Sequence, residues 1–281
     1  MTQRTWFITG ISSGFGKEMT QQLLERGDRV AGTVRKLDAV ADLQERYGDR
    51  LWVARLDVTD VTGIHTVVDQ AFKELGTLDV IVNNAGYGLM GPAEEFSDAQ
   101  VEHVLDTNLL GSIQVSRSAI PHLRAQGHGR IIQISTFGGL VAFPGGSMYH
   151  AGKWGIEGFT EALVGELAPF GIGVTLVEPG GARTNFRYGS SRLGTEIEAY
   201  RGTPGGAARK MIEDGTSVPI GDPAKMAARI IASADQTPAP KRLALGSDSY
   251  NFIHKALTDR LAELEAQQEL ALSTDFVETE A

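Results

Sequence analysis

Cysteine is absent from the sequence, which excludes disulfides, thiolate chemistry and any zinc site built on sulfur. The six histidines show no metal-ligand spacing, so no metal is expected. No apolar run reaches the roughly 20 residues that span a bilayer. The stretch from Met1 to Thr9 has neither a signal-peptide apolar core nor transit-peptide character. A soluble, cytoplasmic protein with no membrane partner is the expectation. Positive charge is also short: the formal net charge is -9. That argues against a nucleic acid or an anionic membrane as main partner, although a local basic patch could hold one phosphate. A small molecule is the expected partner. Linkers, repeats and breaks in composition are missing as well, so residues 1–281 read as a single domain.

What is present is ordinary globular material, 42% hydrophobic and 22% charged, long enough to bury a full core. The 34 glycines exceed the usual share of about 7%, and they fall at element ends, which suggests close backbone approaches to a ligand. Trp6-Phe-Ile-Thr9 reads as an apolar strand running into Gly10-Ile-Ser12-Ser13-Gly14-Phe15-Gly16, and then into a helix carrying Met19, Leu23 and Leu24. Strand, glycine turn and helix together make a phosphate-binding geometry. Glycines admit an anion close to the backbone, and the open N–H groups and dipole of a helix N-terminus stabilise its charge. The spacing, Thr-Gly-x-x-x-Gly-x-Gly, departs from the general Gly-x-Gly-x-x-Gly dinucleotide fingerprint.

The next strand, Arg29 to Val34, exits into Arg35-Lys36. In dinucleotide folds this corner reads the adenosine ribose, an acidic residue suiting a free 2′-hydroxyl and an Arg a 2′-phosphate. Arg35 therefore predicts NADP(H) in preference to NAD(H). A charge-assisted contact of roughly 1.5 to 3 kcal/mol corresponds to about ten-fold or more.

Further strands are expected over Arg50–Leu56, Leu78–Val82, Gly129–Ile134, Gly173–Val177 and Lys241–Leu245. Helical runs alternate with them: Asp60 to Leu75, a Ser97/Gln100 capping box opening a helix to Asn108 and Leu109, a second helix to Arg124, Tyr149 to Leu167, and Asp222 to Ala232. Apolar runs rather than alternation point to a parallel sheet buried on both faces. The expected fold class is α/β, a doubly wound, mostly parallel sheet of about seven strands with helices on both faces. Residues 181–219 loosen into Gly, Ser, Arg and short helical pieces, a loop whose length in a compact domain marks function or disorder. Within 249–281, Phe252, Ile253, Leu257, Leu261 and Leu264 recur at helical spacing. They predict an amphipathic helix docked on the domain or on a second subunit, with a frayed acidic tail after Leu272.

Tyr149-His-Ala-Gly-Lys153 places a phenol and an ammonium four residues apart on one helix face. A neighbouring cation favours the phenolate and lowers a reference pKa of about 10, so the pair could exchange a proton with a substrate oxygen. Alone, such spacing is more often a solvated helix edge. Ser135 and Thr136 add two hydroxyls at a strand's carboxyl end, where ligands sit in open α/β sheets.

Thr9-Gly-x-x-x-Gly-x-Gly16, Asp57, Asn83-Asn84-Ala85-Gly86, Asn108, the hydroxyl strand end, Tyr149-x-x-x-Lys153 and Pro179-Gly180 follow one another in a family's order. From about Thr5 to Gly246 the chain resembles the short-chain dehydrogenase/reductase family. The resemblance implies a Rossmann-type sheet and hydride transfer between a nicotinamide and a carbonyl or alcohol carbon. It implies Tyr149 as the acid that protonates the carbonyl oxygen and Lys153 as the group that binds the nicotinamide ribose and depresses the Tyr149 pKa. Asn108 would hold a water linking Lys153 to solvent. Gly10, Ser12, Ser13, Gly14, Phe15 and Gly16 would cradle the pyrophosphate. Asp57 and Val58 would border the adenine, while Asn83, Asn84, Ala85 and Gly86 would line the adenosine side. Thr184, after Pro179 and Gly180, would sit near the nicotinamide carboxamide. Homodimers or homotetramers are typical of the resemblance. The asparagines can equally fasten backbone at a strand end or cap a helix.

Two departures stand out. The family's catalytic hydroxyl lies thirteen residues before the tyrosine, which selects Thr136, with Ser135 as fallback. Gly152 stands where the family commonly has Ser. A glycine inside a helix costs about 1 kcal/mol, so close backbone approach is expected there, and His150 is expected to be a helix-surface imidazole. Met90, Gly91, Leu140, Phe143 and Met148, with the 181–219 loop, should form a mostly apolar pocket for a ketone, aldehyde or secondary alcohol. Two other readings stay open: an NADPH-binding regulatory sensor without turnover, and epimerase or dehydratase chemistry with a tightly held nucleotide.

Overall fold

The computed structural model describes residues 3–215 and 217–276. Met1 and Thr2 of the N-terminal reading, and residues 277–281 of the expected acidic tail, lie outside the described residues. Seven strands are β1 Thr5–Thr9, β2 Arg29–Val34, β3 Leu51–Arg55, β4 Val80–Asn83, β5 Gly129–Ile134, β6 Ile172–Pro179 and β7 Arg242–Leu245. They pair in the order β3-β2-β1-β4-β5-β6-β7, every pair parallel. The fold is therefore the doubly wound Rossmann-type α/β sheet. Phe7 sits between Ala31 and Ile81 in register, and because successive side chains alternate across a sheet, Trp6 and Ile8 face one layer and Phe7 the other. The first layer holds Met19, Leu23 and Leu24 of α1 (Gly14–Arg26), Leu43 of α2 (Ala41–Tyr47), and Met226, Ile230 and Ile231 of α8 (Pro223–Ser233). The second holds Ile64 and Val68 of α3 (Val61–Leu75), Val115, Ala119 and Leu123 of α5 (Gly111–Gln126), and Leu163 and Leu167 of α6 (Ser147–Leu167). Strand order reverses between β1 and β4, which opens the crevice where ligands sit in such sheets.

Three expectations are refined. The helix expected to Asn108 and the second helix to Arg124 form one continuous rod. In it α4 (Asp98–Leu105) passes through a π-helical turn, Asp106–Leu110, into α5. The Ser97/Gln100 capping box starts it as expected. Residues 181–219 carry the short helical pieces expected, and a short strand besides. They contain a π-helical turn at Phe186–Ser190, a two-residue strand, Arg192–Leu193, paired with Leu89–Met90, and α7, Pro204–Asp214. A buried ion pair fastens them: Arg209 Nη2 donates to Glu95 Oε2 at 2.6 Å and to Gly194 O at 2.7 Å, while Glu95 Oε1 accepts from Ile197 N–H at 3.1 Å. Finally, α9 (Ser247–Glu265) docks by its first turns and by Arg260, which donates to Leu140 O and lies 4.6 Å from the Trp154 ring centroid. Ser249 and Ile253 are buried and Phe252 stacks on Phe137, but Leu257, Leu261 and Leu264 are exposed, as is α10 (Gln268–Leu272).

Candidate active site

The glycine turn lies at the carboxyl end of β1. Gly14 takes a left-handed φ of 55°, a conformation costly for residues with a Cβ. A Cβ on Gly16 would sit 2.2 Å from Gly10 O, so only glycine lets the helix start this close to the turn. Ser12 and Ser13 are exposed there, and Ser13 makes no side-chain cap to α1. The first N–H groups of α1 therefore remain open to an anion. Phe15 packs on the core beneath. The Asn84 side chain donates to Thr9 O at 2.9 Å and Gly10 O at 3.1 Å, and Thr9 Oγ1 accepts from both Asn84 and Ala85 N–H at 3.0 Å. Asn84 thus ties the end of β4 to the glycine turn. Asn83 does not face the crevice: it is buried and donates to Ser116 Oγ of α5 at 2.8 Å.

At the outer end of the crevice, Arg35 is exposed just past β2. Asp57 accepts from the N–H and the hydroxyl of Thr59 at 3.0 and 2.9 Å. Partial burial works to raise the Asp57 carboxyl, but these bonds and the Arg35 and His103 charges outweigh it and hold it below the ordinary value. Val58 is buried and packs against Gly111, at the start of α5.

Across the switch point, α6 brings Tyr149 and Lys153 together, both buried. Lys153 Nζ donates to Ile134 O at 3.0 Å and lies 6.0 Å from the Tyr149 ring centroid. Thr136 bears on the Tyr149 phenol, and its own hydroxyl donates to Pro179 O at 3.4 Å. Among the described residues Ser135 Oγ has no hydrogen-bond partner, and it lies beside Gly139. Of the two hydroxyls, only Thr136 contributes to the Tyr149 pKa. Against the expectation that Lys153 depresses the Tyr149 pKa, burial dominates in this arrangement. Burial raises the phenol above its ordinary value, with Thr136 only partly offsetting it. Burial also pulls the Lys153 ammonium down to about 8, against the opposing pull of Glu157.

Asn108 is fully buried in the π-helical turn, where its side chain accepts from Tyr87 N–H at 3.0 Å and donates to Tyr87 O at 2.8 Å. It clamps the segment after Gly86. Gly180 abuts Asp248, and Gly181 N–H donates to its carboxylate at 2.7 Å. Thr184 turns back over the glycine turn, its Cβ 3.9 Å from where a Gly14 Cβ would lie.

His150 is not a surface imidazole. Its Nε2 accepts from Phe143 N–H at 3.2 Å, so Nδ1 carries the proton and donates to Gly138 O at 2.8 Å. Burial outweighs that second bond and lowers its pKa. Gly152 needs no missing Cβ, since one added there would meet Asn108 and Leu105 at 3.5 and 3.8 Å, ordinary contact distances. Around the mouth, Gly91 N–H donates to Gly145 O at 2.8 Å, and Met90, Leu140 and Met148 are half-buried. Phe143, Phe186, Tyr188 and Phe252 are exposed, with Phe186 6.1 Å from Tyr149 between ring centroids. Phe186 and Phe252 join the mouth only through the folding of distant segments.

The family profile described as short chain dehydrogenase matches residues 4–192, more than half of the chain. An oxidoreductase designated BOA17 from Botryotinia fuckeliana is 34% identical over 273 residues, covering 96% of this chain and 99% of that protein. A 3-ketodihydrosphingosine reductase from Bacteroides thetaiotaomicron is 38% identical over 179 residues, 64% of each chain. Among solved structures, a short-chain dehydrogenase from Streptomyces avermitilis superposes with a TM-score of 0.91 at 38% identity, covering 98% of this chain and 99% of that one. A serine dehydrogenase complexed with NADP+ superposes with a TM-score of 0.72 at 26% identity, covering 86% and 94%. The chain belongs to the short-chain dehydrogenase/reductase family of oxidoreductases.

Proposed function

We propose that the chain is an NADP-dependent enzyme that moves a hydride between the nicotinamide and the carbonyl or secondary alcohol carbon of a moderately apolar small molecule. The observation that carries this is the convergence of Tyr149, Thr136, Lys153 and Asn108 across the crevice from a glycine turn shaped for a pyrophosphate. When bound, the nicotinamide supplies or accepts the hydride. Tyr149 keeps its proton because burial disfavours the phenolate, which suits an acid that gives the proton only to a developing alkoxide. Thr136 orients the phenol, and Lys153 provides a buried positive charge that stabilises negative charge on the oxygens beside it. The Asn108 side chain is committed to Tyr87, so holding the water that would link Lys153 to solvent would fall to its main chain. Arg35 is the group placed for a 2′-phosphate, and the NADP+ held by the serine dehydrogenase relative supports that choice. The exposed aromatic rim supports an apolar substrate body. In this reading residues 1–281 act as one cytoplasmic domain with 181–219 as the substrate loop, in a homodimer or homotetramer.

The test is NADPH and NADH consumption over aldehydes, cyclic ketones and steroid-like ketones, with Tyr149→Phe and Arg35→Asp alongside. The expected result is NADPH turnover that falls by about 100-fold or more in Tyr149→Phe, and a cofactor preference reversed by Arg35→Asp. NADPH binding without any Tyr149-dependent turnover would favour the sensor.

A further inference from the structure

A cluster of charge lies beneath the Tyr149 and Lys153 pair, outside the family motifs. Glu157 follows Lys153 by one helical turn on α6, so the two share a face, and they are 4% and 6% exposed. Glu157 Oε2 accepts from Arg242 Nη1 of β7 at 2.6 Å. The same nitrogen donates to Glu178 Oε1 of β6, and Arg242 Nη2 donates to the exposed Glu161 at 2.9 Å. Among the described residues Glu157 Oε1 has no hydrogen-bond partner. It lies 2.6 Å, and Ser135 Oγ 2.7 Å, from the point a Cβ on Gly139 would occupy. The charged and titratable groups facing Glu157 are thus Lys153 and Glu161 on its own helix, Glu178 on β6 and Arg242 on β7. The Ser135 to Gly139 segment adds a hydroxyl and no charge.

Two buried carboxylates share one guanidinium, and Lys153 is a buried cation on the same helix face as Glu157 that feels its charge. Burial and the Glu157 charge push Glu178 above its ordinary value, against its bond to Arg242. Burial disfavours the Lys153 ammonium and the Glu157 carboxylate works against that. We propose that Glu157, fixed by Arg242 and Glu178, is a positioning residue that keeps Lys153 cationic and so sets the upper end of the pH range over which the site works. The proposal rests on reading Tyr149 and Lys153 as the reacting pair.

Glu157→Gln preserves the shape and removes the charge. The direct readout is the pH titration of the Lys153 side-chain methylene next to Nζ, followed by NMR in the full-length, cofactor-free protein and assigned by its loss in Lys153→Arg. The expected midpoint falls by about one pH unit or more in Glu157→Gln, and Glu157→Asp recovers part of the shift. In turnover, the alkaline limb of kcat moves down with it while KM for the ketone stays the same. Glu178→Gln, which keeps Glu157 in place, gives a smaller downward shift and serves if the first variant does not fold. An unmoved Lys153 midpoint in whichever of these variants folds overturns the proposal. That outcome is separate from failure of the reductase reading, which shows as no Tyr149-dependent turnover in the unmodified protein.

Discussion

Replacing Arg209 with methionine is expected to open residues 194–214 while leaving the central sheet intact. The Arg209 and Glu95 side chains are 10% and 1% exposed, so the variant strands a carboxylate in a dry site with one remaining donor, Ile197 N–H. Removing one partner of a buried pair costs about 3–5 kcal/mol. The chain can avoid much of that cost, because Arg209 is itself the only buried residue of α7 and detaching the segment gives up little apolar contact. Local opening is then easier than unfolding, and hydrogen exchange across 194–214 should quicken by about 100-fold or more, the factor a 3 kcal/mol loss implies. Exchange in β1, β4 and β5 should be unchanged. The double variant Glu95→Gln/Arg209→Met, which strands no charge, should recover part of the protection. The reasoning fails if Arg209→Met exchanges like the unmodified protein in 194–214, or if the sheet loses protection to the same degree.

Three further outcomes follow from local geometry. Gly152→Ala should raise the denaturant midpoint, a gain of about 0.5–1 kcal/mol, because a helix-interior glycine is replaced where a methyl meets only ordinary contacts; a lowered midpoint would mean the space is not there. Gly16→Val should fold yet lose about ten-fold or more in NADPH affinity, since its Cβ would press on Gly10 O; undiminished affinity in a fluorescence titration would remove the glycine turn from the cofactor site. His150 is held neutral with a lowered pKa, so the unfolded chain takes up its proton first as the pH falls. Its contribution is complete above an unfolded pKa of about 6.5 and declines as the pH drops below that. Unfolding measured at mildly acid pH should therefore weaken less in His150→Gln than in the unmodified protein, and equal slopes would refute the assignment.

The sheet was legible because burial on both faces writes each strand as a continuous apolar run, and the ends of those runs were misplaced by only a residue or two. The glycine turn and the Tyr149 and Lys153 pair were legible because local spacing determines their geometry. Non-local partners were not. Nothing beside Glu95 in sequence points to Arg209, 114 residues away, and Glu157 carries a hint only in being four residues beyond Lys153. His150 looked like surface because its two partners come from the segment that folds over it. The upward shift of the Tyr149 phenol is hidden from the sequence for a related reason. Proximity to a cation can be read from a helix wheel, whereas the depth of burial that outweighs it depends on every layer around the helix.

The π-helical turn at Asp106–Leu110 works as a phase shifter in the longest helical rod of the fold. One surplus residue in a turn rotates everything downstream by about 100°. The half before the turn can therefore address α6, beside the site, while the half after it presents Val115, Ala119 and Leu123 to the layer shared with α3. Asn108 sits at the pivot. Losing a single residue from this turn would be no local lesion: it would swing a 16-residue helix off its seat and release the Tyr87 clamp in the same movement, so that packing error and site error arrive together.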